Sequence, residues 1–439
     1  MEPNHEEAYR PLAINPFRIS QPLGGVLALQ GIYKSVPILH GAQGCAESIK
    51  TVMSRHFREP ISIQNIAMHE YNLIFGGADT IREVVNIVMS KHKPDVIGII
   101  GTSLTEVVGE DLLEAAASYG KDNVFALRDK LLFALYLPDY EGSMESGYAK
   151  TVYSVLQEVI RRNTHTSRKR HKNRINLLAG SHLSPGDVME LKEIIASFGL
   201  EVIVLPDLSS SLTGHLLTGH TPLSRGGVPL DYLNEISTSA FTIAIGGSME
   251  SSARLLQQAL DIPYRVFPAL TGLQATDDFF RFLQQHSRNE VQVKYRWQRQ
   301  FLLDTLLDTR SVFRGKKVVA ALDPDHLVAL HQWLVEAGVK SFRSVASAPS
   351  PALEQLAGKV RVGDLEDLEA EAAGGADLWI SNSHGEQAAR RNGVPFIPLG
   401  FPIFNRFGSP MSINVGYKGT VDQLNCFGNI LMNKESVYR

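Results

Sequence analysis

At roughly 100–200 residues per domain, a chain of 439 residues has room for two to four domains, each burying its own core. Lys and Arg number 43 against 46 Asp and Glu, so the net charge of -3 supplies no electrostatic ground for binding nucleic acid or an anionic membrane. Two cysteines far apart, Cys45 and Cys426, exclude a disulfide framework, a reducing cytoplasm is the expected compartment, and apolar runs such as Ile97-Gly98-Ile99-Ile100 fall far short of the roughly 20 residues of a membrane helix.

Along the chain, short β-prone apolar runs each lead through a glycine- or serine-rich turn into a segment of helical spacing, the signature of a parallel α/β sheet. The first unit has strands at Ser35 to Leu39 and Asp95 to Ile100, followed by the turns His40-Gly41-Ala42-Gln43-Gly44-Cys45 and Gly101-Thr102-Ser103. A helix from about Ser143 to Arg162 closes it. Residues 161–174 hold seven Arg or Lys and no acid, and they read as a linker. The second unit opens with Ile175 to Leu178, the turn Gly180-Ser181-His182 and a marked helix start: Ser184 can cap, Pro185 suits the first helical position, and Val188, Leu191, Ile195 and Phe198 form one apolar stripe. Its further strands are Glu201 to Leu205 and Phe241 to Ile245, and Gly246-Gly247-Ser248 turns into a helix ending near Asp261. A helical segment from about Glu290 to Arg310 bridges to a third unit, with strands at Lys317 to Ala321, Leu378 to Ser381 and Val394 to Pro398, and turns at Asp323-Pro324-Asp325 and Asn382-Ser383-His384-Gly385. The expected division is a first domain over 1–165, a basic linker over 166–174, a second domain over 175–305 and a third over 306–439, facing a shared cleft.

Ligands of parallel sheets sit beyond the carboxyl ends of the strands, which directs attention to these turns. Cys45 lies in one of them just before a helix start, where oriented N–H groups favour a thiolate. A nucleophile, a metal ligand, a redox thiol and a buried small hydrophobe are all open readings. Nucleophilic catalysis has only His40 nearby and no third partner. A zinc site lacks any CxxC, HxxxH or HExxH. An iron–sulfur cluster takes about four ligands, mostly thiolates, so one built here would have to be shared with another chain. Cys426 sits among Leu424, Phe427 and Leu431 at helical spacing and reads as part of a packed face. His182 and His384, each in a turn after a strand, read as ordinary half-buried histidines. No P-loop is present, so any ATP-driven step belongs to a partner.

Several separate motifs then agree on one family. Ile14-Asn15-Pro16, Ser20-Gln21-Pro22-Leu23-Gly24, His40 to Cys45, Arg55-His56-Phe57-Arg58-Glu59-Pro60, Phe75-Gly76-Gly77-Ala78-Asp79 and Thr105 to Leu112 resemble, in order, the amino-terminal domain of the nitrogenase molybdenum–iron protein β subunit and its assembly paralogue. Val362-Gly363-Asp364-Leu365-Glu366, Asn382-Ser383-His384-Gly385, Gly400-Phe401-Pro402 and Val415 to Gly419 are similar to the assembly branch. The resemblance implies a nitrogenase component 1-like α/β fold: three Rossmann-like domains with parallel sheets flanked by helices.

The departures carry further implications. The family's catalytic β subunit holds its P-cluster through three cysteines, at positions occupied here by Ser20, Cys45 and Ser103. A hydroxyl is a far poorer soft-metal ligand than a thiolate, so an intact P-cluster is not expected. One retained cysteine matches the assembly branch, which implies that Cys45 is one ligand of an intersubunit [4Fe-4S] cluster, with the other thiolates from a NifE-like partner in an α₂β₂ heterotetramer. Ser20, Gly44 and Ser103 would lie near that cluster, and Phe75 would sit at the docking surface for the nitrogenase iron protein. The complex would take an iron–sulfur precursor from a cluster donor, bind the iron–molybdenum cofactor precursor transiently, and pass the product to the apo molybdenum–iron protein. Redox activity would belong only to the whole complex. Two other classes stay open: a divergent catalytic subunit of nitrogenase or of a protochlorophyllide-reductase-like enzyme, and a metal-free α/β binding protein.

Overall fold

In the computed structural model, which describes residues 15–68, 78–163, 169–214 and 221–437, the strands form three parallel sheets with helices packed against them. β1 (Ser35–Gly41), β2 (Gln64–Ala67), β3 (Val96–Gly101) and β4 (Leu131–Tyr136) make the first, in the order β2-β1-β3-β4. β5 (His171–Ala179), β6 (Glu201–Leu205), β7 (Ser239–Ile245) and β8 (Tyr264–Phe267) make the second, in the order β6-β5-β7-β8. The third has β9 (Lys317–Leu322), β10 (Ser341–Ala346), β11 (Val360–Val362), β12 (Leu378–Ser381) and β13 (Phe396–Pro398), in the order β11-β10-β9-β12-β13. Central strands such as β3, Val-Ile-Gly-Ile-Ile-Gly, are buried at every residue, as continuous apolar runs covered on both faces must be.

In each sheet the strand order reverses beside the first strand, between β1 and β3, β5 and β7, and β9 and β12. These are the topological switch points, and the turns read from the sequence as candidate sites are the turns that leave them.

The basic stretch behaves differently from the linker expected over 166–174. Residues 164–168 lie outside the described residues, but His171–Arg174 already belong to β5. Arg174 is locked in place: its guanidinium meets the Glu201 carboxylate at 3.0 and 3.1 Å and also pairs with Glu235. For Arg174 the neighbouring strand and turn supply the acids, which the local sequence does not show. The boundary expected after residue 305 falls inside one continuous helix, Val293–Phe313, which packs along the last helix, Gly416–Val437.

The first unit has one apolar cluster of its own, around Ile38, Val85, Ile99 and Leu112, but the two largest clusters cross between units. One apolar cluster runs from Leu23 and Met53 in the first unit to Leu178 and Met249 in the second, and another runs from Leu191 and Phe279 to Trp333, Ile380 and Phe427. No helix among the described residues is long and apolar enough to cross a membrane.

Candidate functional site

β1 delivers the turn that carries Cys45. Gly41 ends the strand against Thr102, whose Oγ1 would lie 2.3 Å from any Cβ added there, so the two loops of the first switch point touch only because residue 41 has no side chain. The helix Gln43–Phe57 then starts, capped by Ala42 in an extended conformation with no side-chain cap, and Cys45 is its third residue. The thiol is half-buried, packed at the edge of the first unit's core, and free of any disulfide. Burial pushes the Cys45 thiol up, and the Asp139 carboxylate adds to that, while the N–H groups of Ala42 and Cys45 pull the other way. The helix start does not by itself leave a thiolate.

Asp139 ties together the three positions singled out by the sequence. Its Oδ1 accepts the Gln21 N–H at 3.1 Å, next to Ser20, and its own N–H donates to the Ser103 Oγ at 2.9 Å. Ser20 is the N-cap of the helix Gln21–Gln30 but makes no side-chain cap bond, and Ser103 opens the helix Ser103–Val108. Both serines are half-buried. Gly44 is exposed, with nothing within 4 Å of where a Cβ would project. Sequence reasoning did not find Asp139, because it follows a strand, β4, that has no motif at its end.

His40 is not a base for Cys45. Its Nε2 lies 2.7 Å from the Glu110 Oε2, with both side chains almost wholly buried, and its carbonyl accepts from the Thr102 and Thr105 hydroxyls. The pair joins β1 to the loop after Ser103–Val108. Phe75 lies outside the described residues.

Cys426 departs from the packed-face reading. Leu424, Phe427 and Leu431 are the buried stripe of the helix Gly416–Val437, whereas Cys426 is exposed and borders the cavity where the three units meet. The apolar stripe was legible, but its neighbours in the helix turn were not. His182 borders the same cavity, and His384 packs edge-on to Phe404 at 5.2 Å, its basicity lowered by burial and by Arg55.

Residues 20–432 match the family model described as nitrogenase component 1 type oxidoreductase. The chain belongs to the nitrogenase component 1 family. Among curated relatives, the nitrogenase iron-molybdenum cofactor biosynthesis protein NifN of Rippkaea orientalis is 39% identical, covering 97% of this chain and 95% of its own length. The proteins of the same name from Nostoc sp. and Klebsiella pneumoniae are 38% and 31% identical, each covering 97% of this chain and 94% and 92% of their own. A solved structure described as nitrogenase Cp1 at pH 6.5 superposes with a TM-score of 0.89 at 29% identity, over 97% of this chain and 94% of that one. The component 1 fold expected from the motifs is therefore the observed one.

In this component 1 chain, as many as three buried carboxylates meet where the units join. The N–H of Asp325 donates to Glu145 at 2.9 Å, and the Asp325 carboxylate accepts from the N–H groups of Gly247 and Ser248 at 2.9 and 3.0 Å. One helix from each of the first and third units and the second unit's switch-point turn are thus joined through two acids. Burial raises Glu145 well above the ordinary range, with Asp325 and Asp323 adding to it, and burial pushes Asp323 to about 6. Among the described residues no group of three or more His, Cys, Asp or Glu side chains is arranged to hold a metal ion.

Proposed function

We propose that this chain is the β-like subunit of the scaffold on which the nitrogenase iron–molybdenum cofactor is matured, and that Cys45 is its one ligand to a [4Fe-4S] cluster shared with a NifE-like partner chain. The name borne by relatives up to 39% identical over nearly their full length supports the biosynthetic role. The observation that carries the cluster reading is the single half-buried thiol at the first switch point, with Asp139 beside it bonded to Ser103 and to the N–H next to Ser20, and with open space beside Gly44.

The residues fit one corner of such a cluster and not a whole one. A lone thiol half open to solvent cannot close the coordination of four irons, and the chain's one other cysteine, Cys426, sits on the helix Gly416–Val437 of the third unit, so the other ligands must come across an interface. When bound there, the cluster supplies one-electron transfer. The chain's own part is to hold Cys45 on a helix turn braced by the core, to give up the thiol proton on ligation, and to shape the floor with Ser20 and Ser103. Cys45 starts from a raised pKa, which keeps the unligated thiol protonated and unreactive.

In this reading the assembled α₂β₂ complex receives an iron–sulfur precursor as cargo, supports insertion of molybdenum and homocitrate with the nitrogenase iron protein as reductant, and hands the product to the apo molybdenum–iron protein. A reconstitution from purified components tests it: omitting this chain leaves the apo molybdenum–iron protein inactive, and adding it back restores activity. Activation by the partner chain alone would overturn the scaffold role.

A further inference from the structure

A groove of about 1230 Å³ runs between the three units. One wall is a stripe of the helix Met144–Asn163, where Glu145, Ala149, Tyr153 and Gln157 recur every four residues and so share a face. At 1.5 Å per residue that stripe is about 18 Å long. The second unit contributes Ser251 and Val266, and the third contributes the turn from Ala348 to Gln355. Much of the lining is apolar and rigid: Pro268, Pro324, Pro349 and Pro351 lie along it, and Leu113 opens into it 53% exposed. An apolar trough between units is a place where something docks.

The chain itself enters at one end of this groove. Phe17 is buried against the third sheet, and Asn15 donates to the Gly363 carbonyl at 3.4 Å. The Gly363 N–H donates to the Ala346 carbonyl at 3.1 Å, two residues before Ala348 on the groove wall. On the opposite wall Arg18 donates to the Gly142 carbonyl at 3.0 Å, and Gln21 Nε2 donates to Ser146 Oγ at 2.9 Å. Residues 15–21 therefore bridge the two walls at the Glu145 end, and the preceding stretch departs from there.

That stretch divides in two. Ala8-Tyr9-Arg10-Pro11-Leu12-Ala13-Ile14 carries one charge, whereas residues 1–7 hold three Glu and no Lys or Arg. Extended at about 3.3 Å per residue, the seven apolar-rich residues reach about 23 Å, enough to follow the whole stripe. Their one charge also has a counterpart. Glu354 stands exposed on the groove wall without an ion pair to a described residue, whereas Lys150 and Arg254 beside it are taken by Glu141 and Glu250.

We propose that residues 8–14 fill this groove as an extended strap across all three units, with Arg10 on Glu354 and the acidic residues 1–7 beyond the far end. The strap keeps the groove closed to other chains, and it acts independently of Cys45.

Alkylation of Ser251→Cys, an exposed position in the groove, reads its occupancy in the complex as it purifies, by mass spectrometry of the peptide. Deleting residues 1–13 is expected to speed the reaction about tenfold, the protection given by a strap seated roughly nine-tenths of the time. Ser90→Cys, exposed on the helix Ala78–His92 outside the groove, is expected to react equally in both chains. Glu354→Arg is expected to speed alkylation as the deletion does, and Arg10→Glu added to it to restore protection. In the intact chain, p-benzoylphenylalanine in place of Tyr9 is expected to cross-link to residues 143–157 or 348–355, an arm that needs no shortened chain to fold. Equal rates at Ser251→Cys with and without the segment, a Glu354→Arg chain that Arg10→Glu does not rescue, or cross-links that fall on a partner chain or elsewhere in this one would each overturn the proposal.

Discussion

At Cys45 two effects oppose each other: the N–H groups at the helix start favour a thiolate, and burial beside Asp139 favours the thiol, with burial the larger. The sequence placed Cys45 in its turn correctly because glycine, strand and helix start are local signals. It could not supply the acid, which arrives from 94 residues downstream. The same holds for His40, which stands five residues from Cys45 in sequence but is committed to Glu110 at 2.7 Å. That pair is 1% and 5% exposed, so removing one member strands the other's charge or lone pairs. His40→Leu is expected to cost about 3 kcal/mol in urea unfolding, and the double change His40→Leu with Glu110→Leu to recover most of it. Equal cost for single and double variants would show that packing, rather than the pair, is what the position supplies.

At the scale of elements, the floor under Ser20 and Cys45 depends on two helices that touch through glycine. A Cβ on Gly24 would come within 1.9 Å of the Met144 carbonyl oxygen, and one on Gly147 within 2.0 Å of the Gln21 carbonyl oxygen. Gln21–Gln30 therefore lies directly on Met144–Asn163, pinned further by the Met144 N–H to the Ile19 carbonyl at 2.9 Å. Gly147→Ala is expected to destabilise by about 2–3 kcal/mol and to lower the thermal midpoint, since backbone cannot move aside as a side chain can. Strands that begin as apolar runs before a turn were readable from the sequence: β1, β3, β5, β6, β7, β9, β12 and β13 all fall on such runs. β2, β8, β10, β11 and β4 were not foreseen. β11 is only Val360–Val362, with two of its three residues exposed, and β2 and β8 are four residues each; such strands exist because a neighbour offers a free edge, which is tertiary information. The cap at Ser184, by contrast, was legible in the sequence, and the structure extends it to a full capping box with Asp187.

For the whole molecule, the three units are joined at Glu145, Asp325 and Asp323, acids held above their ordinary range by burial and by one another. A carboxyl whose folded pKa is raised binds its proton more tightly in the folded state, so its contribution is complete below the unfolded value near 4 and is lost as pH climbs through the folded value. Asp323's share is read as the urea stability of the native chain minus that of Asp323→Asn, which is expected to fall between about pH 4 and pH 6. The buried His56, His182 and His326, held at about 4, 4 and 3, push the total the other way over that window. A difference between the two chains that stays constant over that window would contradict the junction's electrostatics. The sequence announced three α/β units and their switch-point turns, but not how the units share core, since Leu178 and Met249 of the second unit join the cluster that holds Leu23 and Met53 of the first. The groove left between the units was unreadable for the same reason: Tyr153, Ser251 and Glu354 converge only after folding.

The central claim is that Cys45 is this chain's single ligand to a cluster shared across an interface. Iron content per heterodimer, measured on anaerobically co-purified complex for the native chain and for Cys45→Ala, tests it most directly. The account requires the variant to lose about four irons while the two chains still elute together. Unchanged iron in the variant would make Cys45 a packing residue and contradict the shared-cluster reading.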